Sequence, residues 1–333
     1  MIEVKTGGKL YIAGEYAILA PQQTALLAFI PIYMTAHITP NHRYQISSDM
    51  FSYSCDVITP DANYALIQET VAVMEEYLLA CGYAIRPFSL IITGKLERDG
   101  VKLGIGSSGS VVVLILKAMV ALYQIDVSED LLFKLAAYVL LKRGDNGSMG
   151  DVACIAYESL LAYTSFDREA VRHQIALHPL PKVLASDWGY SIRRVTTSLD
   201  IDFLVGWTKQ SSISKEMIKC VKKAIDTTFL SETDSQVLRL ITSLETGDKL
   251  AVKTSLETIS TLLEQLSPVI YNEQLKRLKM ASVDLDCVAK SSGAGGGDCG
   301  IALSFDALSS KKLMERWRED GIVLLLKERL SFL

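Results

Sequence analysis

The most constraining feature of this chain is a loop rich in glycine and serine at residues 104–110. An apolar, β-type run at 88–93 precedes it, and the apolar segment 111–119 that follows is typical of a buried helix. A backbone without bulky side chains can turn its N–H groups toward one point, at the positive end of a helix macrodipole. We therefore predict a polyphosphate site here and call these residues the phosphate loop. Its members are Gly104, Ile105, Gly106, Ser107, Ser108, Gly109 and Ser110.

The glycine spacing alone leaves several interpretations open. It fits the dinucleotide-binding pattern G-x-G-x-x-G, with Asp126 roughly 20 residues further on, where a ribose-binding acid is expected. It also fits the protein-kinase loop through Val111, but no H-R-D, D-F-G or V-A-I-K occurs in the sequence. A Walker A loop is excluded because no Lys-Ser/Thr follows Gly109. A dinucleotide site, another polyphosphate site and a plain helix-capping turn remain.

Length and composition exclude several classes of protein. A chain of 333 residues predicts about two domains, and a formal net charge of −4 argues against nucleic-acid binding. No apolar run reaches the ~20 residues of a membrane span, and the charged N-terminus does not resemble a signal peptide. Six scattered cysteines and four histidines argue against a disulfide scaffold or structural zinc. We expect a cytoplasmic, small-molecule-binding protein that is a monomer or weak homodimer.

Three further segments combine glycine with polar residues. In the first, residues 7–16, Lys9 directly follows a Gly-Gly turn. The second, residues 143–151, ends at Asp151, which is either a helix cap or a carboxylate directed at a ligand; we call it the acidic loop. The third, residues 290–300, contains five glycines within eight residues between predicted strands. Such a segment loses much conformational entropy unless its bare backbone is used; we call it the C-terminal glycine loop.

The periodicity predicts β-rich structure up to residue 58, with one strand at 24–39 broken at Pro31. Helices are predicted at 61–82, 109–123 and 128–143, and looser sequence at 177–189 suggests a domain boundary. A strand at 202–208 and a helix at 215–229 follow. Further helices are predicted from 231 to 282, then strands at 285–288 and 301–305, a helix at 309–320 and a last strand at 322–326.

Taken together, residues 8–19, the phosphate loop and the C-terminal glycine loop resemble, in order and spacing, the three motifs of the GHMP kinase superfamily (galactose, homoserine, mevalonate and phosphomevalonate kinases). The details, including those at 142–151, are similar to the bacterial phosphomevalonate kinases. The resemblance implies an α+β, two-domain GHMP kinase fold. It implies an ATP-binding N-terminal domain at 1–186, like the second domain of ribosomal protein S5, and a ferredoxin-like, substrate-side C-terminal domain at 187–333.

The resemblance also implies a reaction, the Mg²⁺-dependent transfer of the γ-phosphoryl group of ATP to the phosphate of 5-phosphomevalonate. The phosphate loop would wrap the triphosphate, and Ser108 matches the serine that reaches Mg²⁺ in relatives. Lys9 lies where the family directs a lysine at the transferring phosphate. Asp151 matches the acid that mevalonate kinases present to the acceptor hydroxyl as a base. A phosphate acceptor is already largely ionised, with a second pKa of about 6, so we predict that Asp151 mainly orients the acceptor or the metal.

The remaining acceptor contacts implied by the resemblance are Tyr16, Ser148, Ser214, Ser291 and Ala294. Mevalonate kinases carry a second Mg²⁺ carboxylate before the acidic loop, but residues 138–143 contain no acid and Asp145 is the nearest. Water and phosphates would then hold most of the metal's coordination sites.

Three alternatives remain after this resemblance. One is a kinase for mevalonate or homoserine. Another is a GHMP-fold sensor without catalysis, against which the retention of Lys9, Ser108 and Asp151 argues. The third is an NAD-binding protein, against which the β-rich first sixty residues argue.

Overall fold

The computed structural model describes residues 1–213 and 215–332. In that part of the chain the helices and strands are mixed, as predicted for an α+β protein, and no helix is long and apolar enough to cross a membrane. The strands are β1 Ile2–Ala13, β2 Thr24–Pro40, β3 Gln45–Ser48, β4 Ser54–Cys55, β5 Phe88–Thr93, β6 Glu97–Arg98, β7 Val101–Lys102, β8 Leu161–Thr164, β9 Ser191–Arg194, β10 Asp202–Trp207, β11 Cys287–Ser291, β12 Cys299–Ser304 and β13 Val323–Arg329.

Most of the helices occur in runs of two to four between groups of strands. The α-helices are α1 Ala65–Ala80, α2 Ser107–Tyr123, α3 Glu129–Lys142, α4 Gly150–Tyr157, α5 Arg168–Leu177, α6 Leu180–Ala185, α7 Lys215–Lys223, α8 Thr227–Thr246, α9 Lys249–Leu266, α10 Glu273–Met280 and α11 Ala307–Glu319. Short 3-10 turns occur at Ala17–Leu19 and Leu330–Phe332.

The first sheet is organised around the long strand β2. Its strand order is β4-β3-β5-β2-β8-β9, and β1 pairs with β2 in addition. One edge of β2 binds β1 in antiparallel register, and the other binds β8 near its start and β5 near its end. The pairing of β1 with β2 places Lys9 opposite Phe29.

The predicted break at Pro31 is wrong. β2 continues through this residue, and the irregularity lies in its pairing with β1, whose register shifts between Thr6 and Gly8. Proline lacks an N–H donor and is tolerated in a strand where the hydrogen-bond ladder is already interrupted. The proline therefore coincides with a bulge rather than a strand end.

Helix α2 occupies the centre of the N-terminal half. Six successive residues at 111–116 are almost completely buried, which is typical of a helix that is apolar on all sides. It packs against β1, β2, α1 and α3. Ser128 caps α3, as predicted, because its hydroxyl accepts a hydrogen bond from the N–H of Leu131 at 3.1 Å. This packing fixes the start of α2, and with it the phosphate loop.

The second sheet is antiparallel, in the order β11-β12-β10-β13. Helices α9 and α10 pack on β11, and α11 contacts three of the four strands. The single helix predicted at 215–229 is divided: α7 ends at Lys223, and α8 begins at Thr227 because Asp226 accepts from the N–H of Phe229 at 2.7 Å. Asp226, which the periodicity placed inside one continuous helix, is thus the N-cap of a second helix.

The chain passes from the first sheet to the second between Arg194, where β9 ends, and Asp202, where β10 begins. Strand β9 still pairs with β8 of the first sheet, beyond the predicted domain boundary at 186/187. The division into domains at that boundary stays a prediction.

Candidate active site

A cavity of about 560 Å³ lies between the end of β1, the acidic loop, α7 and the C-terminal glycine loop. It brings together five residues predicted from three separate segments of the sequence. These are Lys9, Tyr16, Ser148, Asp151 and Ala294. Neither the phosphate loop nor Ser291 lines the cavity, and Ser214 lies outside the described residues.

Lys9 connects the phosphate loop with the cavity. Its N–H donates to the carbonyl of Ile105 at 2.8 Å, which ties β1 to the loop. Its side chain crosses the loop at Gly106, where a Cβ would lie 3.0 Å from Lys9 Cε, and its ammonium lies 4.9 Å from the centre of the Tyr11 ring. A side chain at Gly106 would displace the lysine. Lys9 therefore lies where a phosphate held by the loop and a ligand in the cavity would meet.

Asp151 lines the cavity and is not the cap of the helix that follows. The N-cap of α4 is Met149, and Asp151, in the first turn, lines the cavity. Its Oδ2 lies 3.1 Å from where a Cβ of Gly109 would stand, so this carboxylate also borders the phosphate loop. Burial raises the pKa of Asp151 above its usual value, and the positive charge of Lys9 counteracts that rise.

The start of α2 is open to an anion. Gly106 is its N-cap, in the left-handed conformation with φ 89°, and supplies no side chain to the first-turn N–H groups. Ser108 makes no side-chain hydrogen bond to any other described residue. Ser110, in contrast, is fully buried, and its hydroxyl donates to the carbonyl of Gly7 at 2.8 Å. Of the predicted loop ligands, Ser110 therefore holds the loop against β1, and its hydroxyl is not free for a phosphate.

No group of three or more His, Cys, Asp or Glu side chains is placed to hold a metal among the described residues. The oxygen ligands beside the phosphate loop include the hydroxyl of Ser108 and the carboxylates of Asp151 and Asp298. Such a sparse oxygen set fits Mg²⁺, which keeps several waters and is completed by substrate phosphates. It does not fit a structural zinc site, which needs four protein ligands.

Ser148 is held rigidly by two tyrosines. Its hydroxyl shares a hydrogen bond with the hydroxyl of Tyr11 at 2.8 Å and accepts from the N–H of Gly150 at 3.1 Å. Tyr163 donates to its carbonyl at 2.7 Å. Burial and the charge of Asp151 raise the pKa of Tyr11, which keeps its proton. Sequence reasoning missed Tyr11, although it lies two residues after Lys9 on the same strand.

Tyr16 forms a strained turn at the cavity. Its backbone has φ 64° and ψ −48°, and the N–H of Ala17 donates to the carbonyl of Glu15 at 2.7 Å, which makes a γ-turn of the rarer hand. Strain of this kind persists only where the surroundings hold it. The hydroxyl of Tyr16 donates to the carbonyl of Ala294 at 2.6 Å. The turn thus fastens the end of β1 to the C-terminal glycine loop.

A buried ion pair lies beside this turn, between residues that the motif analysis did not select. The ammonium of Lys290 donates to Glu15 at 2.5 Å and to the carbonyl of Ser291 at 2.6 Å. The side chains of Lys290 and Glu15 are 0% and 2% exposed. Burial lowers the pKa of Lys290, and the charge of Glu15 opposes that shift. The sequence features that could have indicated this pair are a lysine at the end of an apolar strand and a glutamate within residues 7–16.

Ser291, predicted to contact the acceptor, is fully buried in β11 with no partner for its hydroxyl among the described residues. The structure does not bring it into the cavity. Its neighbour Ser292 donates to the carbonyl of Tyr11 at 2.8 Å. Ser292 therefore joins the two halves of the chain, whereas Ser291 is a buried residue of β11.

Asp298 is a second residue that sequence reasoning missed. Its Oδ1 accepts from the N–H of Ser212 at 3.3 Å, and its N–H donates to the carbonyl of Gln210 at 2.6 Å. Its side chain packs on Gly104 at the start of the phosphate loop. Burial raises the pKa of Asp298. The aspartate thus connects the phosphate loop with the segment that leads into α7.

Helix α7 contributes positive charge to the far wall of the cavity. Lys219 and Lys222 both line it, next to the acidic loop. Burial and the neighbouring charge of Arg168 lower the pKa of Lys222, whereas Asp145 counteracts this effect. The cavity therefore has one cation near the phosphate loop, Lys9, and a separate cationic wall on α7.

Comparison with known proteins shows what this architecture is similar to. The family model for the GHMP kinases N terminal domain matches residues 65–159, and the GHMP kinases C terminal model matches 241–323. The structure of Streptococcus pneumoniae phosphomevalonate kinase in complex with phosphomevalonate and AMPPNP is 54% identical, with a TM-score of 0.97, and the match covers 99% of this chain and 100% of that chain.

Two more distant proteins are also similar to this chain. The phosphomevalonate kinase of Streptomyces sp. (strain CL190) is 28% identical over 353 residues, covering 96% of this chain and 94% of the relative. Methanococcus jannaschii mevalonate kinase shares the fold, with a TM-score of 0.74 at 17% identity and 98% coverage of both chains.

Proposed function

The chain belongs to the GHMP kinases, and from this membership we propose that it transfers the γ-phosphoryl group of ATP to the phosphate of 5-phosphomevalonate, giving the diphosphate and ADP. The observation that carries the proposal is the position of Lys9, which crosses the phosphate loop at Gly106 and enters a cavity shared with Asp151. The 54% identical relative binds both phosphomevalonate and AMPPNP, which supports the same pair of substrates here.

The charges of the cavity suit an acceptor that is anionic at both ends. Transfer between two phosphates needs mainly positioning and charge neutralisation. Lys9 would neutralise the transferring phosphoryl group and the acceptor phosphate. Lys219 and Lys222, on the cavity wall formed by α7, would bind the carboxylate at the other end of the acceptor.

Ser108 and Asp151 are the residues that would hold Mg²⁺, with water and phosphates completing its coordination. When bound, the metal supplies charge neutralisation of the nucleotide phosphates. Asp151 also orients the acceptor, whose phosphate is largely ionised at neutral pH and needs no base. We assign the ATP side to the N-terminal domain, 1–186, and the substrate side to the C-terminal domain, 187–333.

A coupled assay of ADP release with 5-phosphomevalonate, mevalonate and homoserine in parallel tests the function. We expect Mg²⁺-dependent turnover with 5-phosphomevalonate alone. Turnover of mevalonate or homoserine instead would move the chain to another branch of the superfamily. Absence of turnover with all three would reject the kinase assignment and favour a binding protein.

A further inference from the structure

Glu15 lines the cavity with one of its two carboxylate oxygens unused. Oε1 accepts from Lys290 at 2.5 Å, whereas Oε2 is covered by protein and has no hydrogen-bond partner within the described residues. A buried carboxylate oxygen without a donor is unfavourable, because it has lost its hydration without replacement. Oε2 is therefore an acceptor for which the described residues supply no hydrogen-bond donor.

The nearest candidates within the protein are already engaged. Three tyrosines lie close enough to Glu15 to interact with its charge. Each of their hydroxyls is committed to another partner, which is Ser148 for Tyr11 at 2.8 Å, the carbonyl of Ala294 for Tyr16 at 2.6 Å, and Ser260 for Tyr271 at 2.7 Å. None of these hydroxyls donates to Oε2, which leaves this oxygen open to a donor from a ligand.

The ion pair with Lys290 determines which ligand group can approach. Because the lysine neutralises the glutamate, this part of the wall does not repel an anionic ligand as a lone carboxylate would. It still offers only an acceptor oxygen. A carboxylate or an ionised phosphate is also an acceptor and gains nothing there, whereas a hydroxyl can donate.

We propose that Glu15 recognises the tertiary hydroxyl of the acceptor, accepting its hydrogen bond through the carboxylate oxygen that Lys290 leaves free. This inference rests on the proposed function, in which the acceptor carries a carboxylate, a phosphate and this one hydroxyl. A carboxylate turns easily about its last side-chain bond, so one oxygen can face the cavity while the other stays with Lys290. Glu15 is thereby a specificity-determining residue, and Lys290 keeps its charge from opposing the anionic ends.

The test compares 5-phosphomevalonate with its 3-deoxy analogue, in which hydrogen replaces the tertiary hydroxyl. Two double variants remove both charges of the ion pair together, since a lone buried charge would strongly destabilise the folded protein. Glu15→Leu with Lys290→Met leaves no acceptor oxygen, and Glu15→Gln with Lys290→Met keeps an amide oxygen. Thermal melting and the KM for ATP show whether each variant is folded.

We expect the wild type to prefer the hydroxylated acceptor in kcat/KM by about 10- to 100-fold, the value of a hydrogen bond to a charged group. The preference should fall to near unity in the leucine variant and persist in part in the glutamine variant. Equal losses on both acceptors, an unchanged ratio in both variants, or failure of both to fold would make Glu15 a structural residue only. No turnover of the hydroxylated acceptor by the wild type would reject the proposed function and this inference with it.

Discussion

Gly104 lies directly against the side chain of Asp298, so that a Cβ on Gly104 would stand 2.4 Å from Asp298 Cβ and 2.6 Å from its Oδ2. This contact joins the first residue of the phosphate loop to the C-terminal glycine loop, almost two hundred positions away in the sequence. Because Asp298 also accepts from the N–H of Ser212, the loop is supported by both halves of the chain. The nucleotide site is therefore not a property of its local sequence alone.

Gly104→Ala should consequently destabilise the protein and weaken nucleotide binding. Gly104 has φ +75°, which adds a penalty of about 1–2 kcal/mol for a residue with a Cβ, and the clash with Asp298 adds to it. Gly100→Ala is the matched control, because Gly100 has the same φ and no atom within 4 Å of the added Cβ. We expect a larger fall in melting temperature and a higher KM for ATP in Gly104→Ala only. Equal effects of both substitutions would show that the contact with Asp298 is unimportant.

Lys9→Met should lower kcat by about 1,000-fold, because it removes the charge that stabilises the transferring phosphate. The melting temperature should change little. Lys5→Met removes a lysine from the same strand, where it pairs with Glu3 at the surface, and should leave kcat unchanged.

Asp151→Asn should reduce kcat less than Lys9→Met. If it reduces kcat as severely, and the loss follows a single ionisation, Asp151 is a base rather than an orienting group.

Asp151→Asn should also stabilise the folded protein at neutral pH. Burial raises the pKa of this carboxyl in the folded state, so the ionised form is disfavoured there relative to the unfolded chain. Below the pKa of an aspartate in the unfolded chain, about 3.9, the Asp151 carboxyl is protonated and contributes its full stabilisation to the folded protein. As the pH rises through the higher pKa of the folded state, this stabilisation is lost. Asparagine avoids this loss.

We therefore expect Asp151→Asn to gain about 0.5–2 kcal/mol in the free energy of unfolding near neutral pH, in the range found for stabilising substitutions. The gain should shrink as pH falls toward about 4, where the wild-type carboxyl is protonated. Thermal melts over this range measure it, with Asp126→Asn at an exposed position as the control. A gain that does not vary with pH would exclude the buried charge as its cause.

Lys222→Met should raise the KM for the acceptor by about tenfold, which corresponds to ~1.4 kcal/mol, with a smaller effect on kcat. The physical reason is the loss of a cation from the wall opposite Lys9. Lys223→Met is the control, since it removes the same charge from the next position on α7, which does not line the cavity. Steady-state kinetics at two salt concentrations measure the effect, which should weaken at high salt. Similar changes in both variants would indicate only a general effect of charge.

The local patterns predicted much of the fold correctly. The helix after the phosphate loop, the Ser128 cap and the strand at 202–208 all depend on neighbouring residues, and the two-domain α+β GHMP kinase fold follows from the motifs. The two failures have different causes, a nonlocal strand partner at Pro31 and a local helix cap at Asp226. Pro31 does not end β2 because the pairing strand is bulged at the same place. Asp226 starts a new helix where helical periodicity alone predicted a continuous one.

The candidate site divides in the same way. Lys9, Asp151 and the phosphate loop were recognisable because each lies in a segment whose glycines mark a close backbone approach. The pairing of Glu15 with Lys290 and the contact of Gly104 with Asp298 were not recognisable, because their partners are distant in sequence and belong to different sheets or loops.

The sequence by itself determined the segments from which the site is built and the charges that they carry. The tertiary structure alone decided which of those charges are neutralised inside the protein and which remain free for a ligand. Ser110 became part of the packing and Ser291 was buried in β11, while Lys9 was left to face the cavity and one oxygen of Glu15 was left without a partner among the described residues. The physical reason is that hydrogen bonds and burial depend on distances between segments, which only the folded chain defines.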